Sequence, residues 1–304
     1  MSSLSATVVA AIHDLELAAR LVVEGLRVGG HRSPFRGHST EFQQYRPYRV
    51  GDDLKHLDWK LFARSDRLYT RQFRESTNVS VMLVLDASAS MAFPRDGVSK
   101  FRYACIMTAS LAYLISTQGN AVGLMTMQAG KLLYQPARGG RLHLLALIAE
   151  IDRLSASGTW EPGRVIARGA ELLQRRGVVV TISDFYDDEM ATRRELRRVA
   201  QRGHDVAMLQ VVSPDELDFP YSGNVSFEDM ESGARQIVDA DAIATEYRTQ
   251  VTAFFERCRS AARRDNVEYA LLSSGVPPAR ALRDFLVRRS ARERPSPVSV
   301  AGRS

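Results

Sequence analysis

Cysteine is scarce in this chain of 304 residues, and the two present, Cys105 and Cys258, have no metal or disulfide spacing. Both fall in stretches with helical periodicity, so reduced core thiols and a cytoplasmic setting are expected. No apolar run approaches the ~20 residues that cross a bilayer. No leader is expected either, because Asp14, Glu16 and Glu24 interrupt the apolar N-terminal stretch. His13, His31, His38, His56, His143 and His204 are scattered without ligand spacing, which argues against zinc. A nucleophile elbow is missing, and no histidine lies near Ser88 in sequence to serve as its base. Gly139-Gly140 lacks the glycine spacing and the Lys-Ser/Thr of a phosphate loop, and reads as a helix lead-in.

The composition is that of a soluble globular protein long enough to bury a full core, as one large domain or one domain with an appendage. The net charge of +6 is unevenly spread. One excess lies between His31 and Arg74. Another lies in the Ser-, Pro- and Arg-rich tail, where Arg288, Arg289, Arg292, Arg294 and Arg303 face only Glu293. Residues 291–304 are expected to be a disordered basic tail. Nucleic-acid binding would use such charge, but no aromatic–basic module or helix-turn-helix pattern accompanies it.

Residues 6–28 read as one helix with Val9, Ile12, Leu15, Ala19, Val22 and Leu26 on a single face, stopped by Gly29-Gly30. Residues 29–78 are polar and aromatic with weak periodicity, and are expected to form an irregular arm packing on the main domain. From Val79 onward strands alternate with helices. Val79 to Leu85, Ala121 to Met127, Lys131 to Gln135, Val178 to Ile182, Asp205 to Val212 and Val267 to Leu272 read as strands. Helices are expected after Ser99, over Leu142 to Leu154, Pro162 to Gln174, Ala240 to Arg264 and Pro278 to Arg289, with a charged one between Asp184 and Asp205. Val225 to Val238 looks like an edge hairpin turning at Glu231-Ser232-Gly233. The expected fold is α/β, a doubly wound and mostly parallel six-stranded sheet over residues 79–290.

The most informative stretch follows the first of these strands, VSVMLVL, which is apolar throughout and reads as a buried parallel strand. It ends in Asp86-Ala87-Ser88-Ala89-Ser90-Met91, a carboxylate and two hydroxyls at i, i+2 and i+4. These are hard oxygen donors, the ligand type of a Mg²⁺ that keeps several waters. Ligands of open α/β sheets sit outside the carboxyl ends of the strands, where the strand order reverses. If that order is 3-2-1-4-5-6, Asp86 and Asp184, which follows the fourth strand, face one crevice. Thr159 lies one connection upstream and offers a third hydroxyl. Without a cation the two aspartates repel and at least one is raised in pKa. Each residue also has an ordinary alternative, since Asp and Ser form turns and Asp184 could cap the next helix.

In this order Asp86-x-Ser88-x-Ser90, Thr159 and Asp184 resemble the metal-ion-dependent adhesion site of von Willebrand factor type A domains, with Ala89 where glycine is usual. The resemblance implies that Ser88, Ser90 and Thr159 give hydroxyls to Mg²⁺ (or Mn²⁺ or Ca²⁺), with Asp86 and Asp184 acting directly or through water. Upstream, Glu41-Phe42, Arg46-Pro47-Tyr48-Arg49-Val50-Gly51-Asp52-Asp53-Leu54-Lys55-His56-Leu57-Asp58-Trp59 and Ala63-Arg64 resemble a bacterial family of unknown function. It is number fifty-eight of the domain-of-unknown-function series, and its members are commonly encoded beside MoxR-type AAA+ ATPases. The resemblance spans most of residues 30–290. Many relatives carry transmembrane helices before this region, whereas this chain does not, so a soluble form is implied.

Arg46, Asp52, Asp53, Asp58, Trp59 and Arg64 have two readings: a polar surface for a partner, or a buttress of Arg–Asp pairs with Trp59 pinning the arm to the sheet. The leading functional expectation is a non-enzymatic binding module. Its metal would be completed by an acidic residue of a protein client, and a MoxR-type AAA+ ATPase is the implied partner in protein assembly or maturation. The rivals are a Mg²⁺-dependent phosphoesterase and a basic nucleic-acid binder. Against the phosphoesterase, Ser88 stands where a second carboxylate is expected, and no lysine is obviously placed to hold phosphate. A nucleic-acid binder would show steep salt dependence and indifference to chelator.

Overall fold

The computed structural model describes residues 4–27, 39–49, 57–76, 79–94, 96–186, 189–231 and 233–292. Its elements run in the order α1 (Ala6–Ala10), α2 (Leu15–Arg27), β1 (Ser39–Pro47), α3 (Trp59–Ser65), β2 (Tyr69–Ser76), β3 (Ser80–Leu85) and α4 (Lys100–Thr117). Next come β4 (Ala121–Gln128), β5 (Lys131–Arg138), α5 (Arg141–Arg153), α6 (Pro162–Glu171), β6 (Val178–Ser183), α7 (Glu189–Gln201) and β7 (Asp205–Val212). The chain closes with α8 (Pro214–Asp218), β8 (Asn224–Glu228), β9 (Arg235–Asp239), α9 (Ala240–Arg264), β10 (Glu268–Ser273) and α10 (Pro278–Arg292). These fall into two compact units, Arg36–Val79 and the remainder.

The larger unit is built on a sheet of order β10-β7-β6-β3-β4-β5, parallel except that β5 runs antiparallel to β4. Numbered by appearance from β3 and read from the β5 edge, the order is 3-2-1-4-5-6. The central strands are apolar on both faces because both faces are covered, and Val81 to Leu85 and Val178 to Ile182 are all buried. Helix α4 packs on β3 and β4, with α2, α5 and α10 around it, while α6, α7 and α9 pack against the opposite face. Gly177 allows β6 to start hard against β3: a Cβ there would lie 2.3 Å from the Ser80 carbonyl oxygen. Among the described residues no helix is long and apolar enough to cross a membrane. Cys105 and Cys258 are free and buried on α4 and α9, and burial pushes both thiols up to about 12.

Several local expectations give way. The stretch expected as one helix over 6–28 is two, because Asp14 caps the start of α2, its carboxylate accepting Leu17 N–H at 3.0 Å. Strands β8 and β9 form a separate two-stranded sheet instead of an edge of the main one. The segment read as an irregular arm contains an antiparallel pair, β1 with β2, and a register shift between Phe42 and Gln44. Its strands, STEFQQYRP and YTRQFRES, are polar at most positions and so carry no hydrophobic alternation. In that smaller unit the buried Asp58 caps α3 by accepting Lys60 and Leu61 N–H, both at 3.0 Å, and takes a 2.9 Å bond from Tyr45 hydroxyl. Tyr45 and Tyr69 meet edge to face.

At the amino ends of the outer strands, Arg289 of α10 is buried and bonds Glu268 at 2.7 Å and Asp205. Arg289→Met removes the guanidinium bonded to the buried Glu268, whereas Asp205 is half exposed and rehydrates. The expected loss is about 3 kcal/mol of unfolding free energy, read as a lowered urea midpoint at unchanged slope.

Candidate functional site

The parallel pairing of β3 with β6 puts Leu85 beside Ile182, and one further bond, Asp86 N–H to Ile182 carbonyl at 2.9 Å, carries the pairing into the loop. The next residues therefore emerge side by side. Asp86 is fully buried, and its Oδ1 accepts Ser88 N–H at 2.8 Å while its Oδ2 accepts the Ser183 hydroxyl at 2.5 Å. Each oxygen keeps a further lone pair. This turn aims Ser88 and Ser90 the same way, their hydroxyl oxygens 3.0 Å apart at the start of a 3₁₀ turn over Ala89–Ala92. The loop before α6 lies against this one, joined by Ala89 N–H to Gly158 carbonyl at 2.9 Å and Ser157 N–H to Ala87 carbonyl at 2.8 Å. Thr159, the next residue, is exposed.

Asp184 is also fully buried. Its Oδ2 accepts a 2.8 Å bond from the Lys100 ammonium, which bonds Glu216 Oε1 of α8 at 2.7 Å. The ammonium is sealed from solvent, with the Tyr186 ring centroid 4.8 Å away. Burial alone would drive its proton off, but the charges of Asp184 and Glu216 outweigh that and hold it above its ordinary pKa. Glu216 is raised, because burial outweighs the help of Lys100 and of Ser213 N–H. Among the described residues no cation is paired with Asp86, and burial together with the Asp184 charge pushes it up to about 8. Behind Asp184, its carbonyl accepts Gln210 Nε2, and Gln210 Oε1 accepts the Tyr269 hydroxyl. Directly after it, Phe185 has φ +58 with its ring buried in the core, and its N–H bonds the Ser183 hydroxyl at 2.9 Å.

Residues 44–257 match the family model described as protein of unknown function DUF58. The chain belongs to that family. This DUF58 chain is 31% identical over 227 residues to the uncharacterized protein Rv1480 of Mycobacterium tuberculosis, covering 74% of this chain and 71% of that one. It is similar to the crystal structure of an aerotolerance-related membrane protein from Bacteroides fragilis, at TM-score 0.48 and 19% identity over 71% of this chain and all of the other. The SpRpn10 VWA domain is a further neighbour, at TM-score 0.41 and 12% identity over 67% of this chain and 94% of the domain.

Within this DUF58 member, Asp86, Ser88 and Ser90 are joined by direct bonds, and Asp184 leaves the neighbouring strand. Asp184 does not act as a plain helix cap; its carboxylate takes Lys100 and Tyr186 N–H. The loop that carries Thr159 is bonded to the serine loop at Ser157 and Gly158. The donor set suits a hard divalent cation. Oxygens in neighbouring positions around a six-coordinate Mg²⁺ at 2.0–2.1 Å are separated by about 3 Å, which is the Ser88–Ser90 spacing. Burial first and the Asp184 charge second raise the Asp86 carboxyl, and a bound cation would oppose both.

Lys100 was not foreseen here, but with Asp184 and Glu216 as its partners and no solvent access this lysine is not placed to hold phosphate. A cation at the first position of a helix opposes the macrodipole, and that anomaly in Ser99-Lys100 was the available signal. Ser183, Gln210 and Glu216 were also missed; Glu216 is visible only as the capping-box partner of Ser213.

Of the upstream motif in this DUF58 chain, Asp58 is the α3 cap, Arg46 is half-buried on β1, and Arg64 is exposed in the last turn of α3. Trp59 is exposed and meets Phe62 edge on within the same unit. Asp52 and Asp53 lie outside the described residues.

In EDTA, folded Asp86 keeps its proton at pH values where the unfolded carboxyl, near 3.8, has lost it. Its contribution to stability is full below pH 3.8 and is lost as pH rises through about 8. Thermal midpoints measured from pH 5 to about 9 in EDTA should fall for wild type and flatten for Asp86→Asn.

Proposed function

We propose that this chain is a metal-dependent protein-binding module, in which Asp86, Ser88, Ser90, Thr159 and Asp184 hold Mg²⁺ (or Mn²⁺ or Ca²⁺) and an acidic residue of a protein client completes the site. The observation that carries the reading is the Asp86–Ser88–Ser90 row at the carboxyl end of a central strand, with its two hydroxyl oxygens 3.0 Å apart. Hydroxyls contribute no charge, so the bound ion would supply an electrophilic position for an incoming carboxylate. The chain's own part is to fix the row. Asp86 orients Ser88 through its N–H, and the Ser183 hydroxyl holds Asp86. The resemblance of the upstream motif to proteins encoded beside MoxR-type AAA+ ATPases makes such an ATPase the proposed partner, in a cytoplasmic setting.

The module is proposed to be non-enzymatic. Lys100 has two carboxylate partners and no solvent access, so it is not free to receive a phosphoryl group, which disfavours the phosphoesterase reading.

Tagged wild type and Ser88→Ala/Ser90→Ala, each with Mg²⁺ and with EDTA, test this in pull-downs from native lysate read by mass spectrometry. A MoxR-type ATPase or an acidic client captured only by wild type with Mg²⁺ is expected. Identical capture in all four conditions would remove the metal row from the docking surface. Calorimetry with Mn²⁺ should show a binding isotherm for wild type that the double variant loses.

A further inference from the structure

Lys100, Asp184 and Glu216 leave the carboxyl ends of three neighbouring strands, β3, β6 and β7, and meet at one buried ammonium. The helix dipole at the start of α4 repels this charge, so the two carboxylates hold it there. One carboxylate is Asp184, a member of the candidate metal row. Two aspartates and a glutamate buried together without a cation would repel each other and swing apart or take up protons. Here a covalently attached cation meets part of that demand, with the rings of Tyr186 at 4.8 Å and Phe93 at 5.9 Å beside it.

We propose that Lys100 is a resident counter-cation of the metal site: it keeps Asp184 in place when no divalent ion is bound, and its charge weakens the binding of that ion. The inference rests on the metal-site reading above. Its consequence is a site that is preformed yet binds the ion loosely by itself, so that an acidic partner group contributes much of the final affinity. The same carboxylate serves both cations, which distinguishes this role from that of an ordinary buried ion pair.

Full-length wild type, Lys100→Met and Lys100→Met/Glu216→Gln would be titrated with Mn²⁺ by calorimetry, with thermal midpoints recorded with and without Mn²⁺. The double variant removes one positive and one negative charge together, so it carries the test if the single variant fails to fold. Expected are Mn²⁺ affinity roughly tenfold or more above wild type in Lys100→Met and a raised affinity in the double variant. Both variants should also gain more in thermal midpoint from Mn²⁺ than wild type does. Wild-type affinity in folded variants of lowered stability would make Lys100 a structural ion pair only, overturning this proposal and leaving the metal site standing. Absence of Mn²⁺ binding in all three proteins would instead overturn the metal-site reading, and this inference with it.

Discussion

The ammonium shared by Asp184 and Glu216 joins the segments that follow β3, β6 and β7. A charge buried there without a partner would cost several kcal/mol, so the three segments are held to positions in which all three charges are met. Asp86 sits outside this arrangement. It is equally buried, its donors among the described residues are a hydroxyl and an amide, and burial with the Asp184 charge raises its carboxyl in pKa. Among the described residues, Asp184 is therefore balanced by the protein's own cation, while Asp86 on the next strand is not.

The rest of the site follows from how closely β3 and β6 run. Gly177 lets the pair begin in backbone contact, and the pairing continues past the strand into Asp86. Once Asp86 is fixed, its acceptance of Ser88 N–H sets the loop, and the loop sets the hydroxyl spacing. The Ser157–Ala87 and Gly158–Ala89 bonds then bring the connection before α6 alongside. Few side chains need special positioning, because backbone hydrogen bonds carry most of the geometry.

Much of this was legible in the sequence where signals were local. The apolar runs from Val79 and Val178 read as buried strands, and Asp86, Ser88, Ser90 and Asp184 follow them directly. The segment 240–264 has the length and caps of one helix and forms one. Features that depend on distant partners were not legible. Lys100 is 84 residues from Asp184 and 116 from Glu216, so nothing nearby in sequence explains why a lysine opens α4. Residues 11–14 hide a break because the apolar stripe resumes in phase beyond Asp14. The β1–β2 pair is held by backbone bonding between polar strands, which leaves no hydrophobic period to detect.

The left-handed residue after Asp184 links this chemistry to the far side of the sheet. A phenylalanine with φ +58 holds a conformation that costs of order 1 kcal/mol, and Phe185 keeps it with its ring buried in the core cluster that includes Leu196, Met208 and Cys258. The strand exit is thus a sprung joint, bent by its backbone and latched by one aromatic ring. Loosening the seam between α7 and α9 would release the latch, and the carboxylate one peptide away would lose its aim.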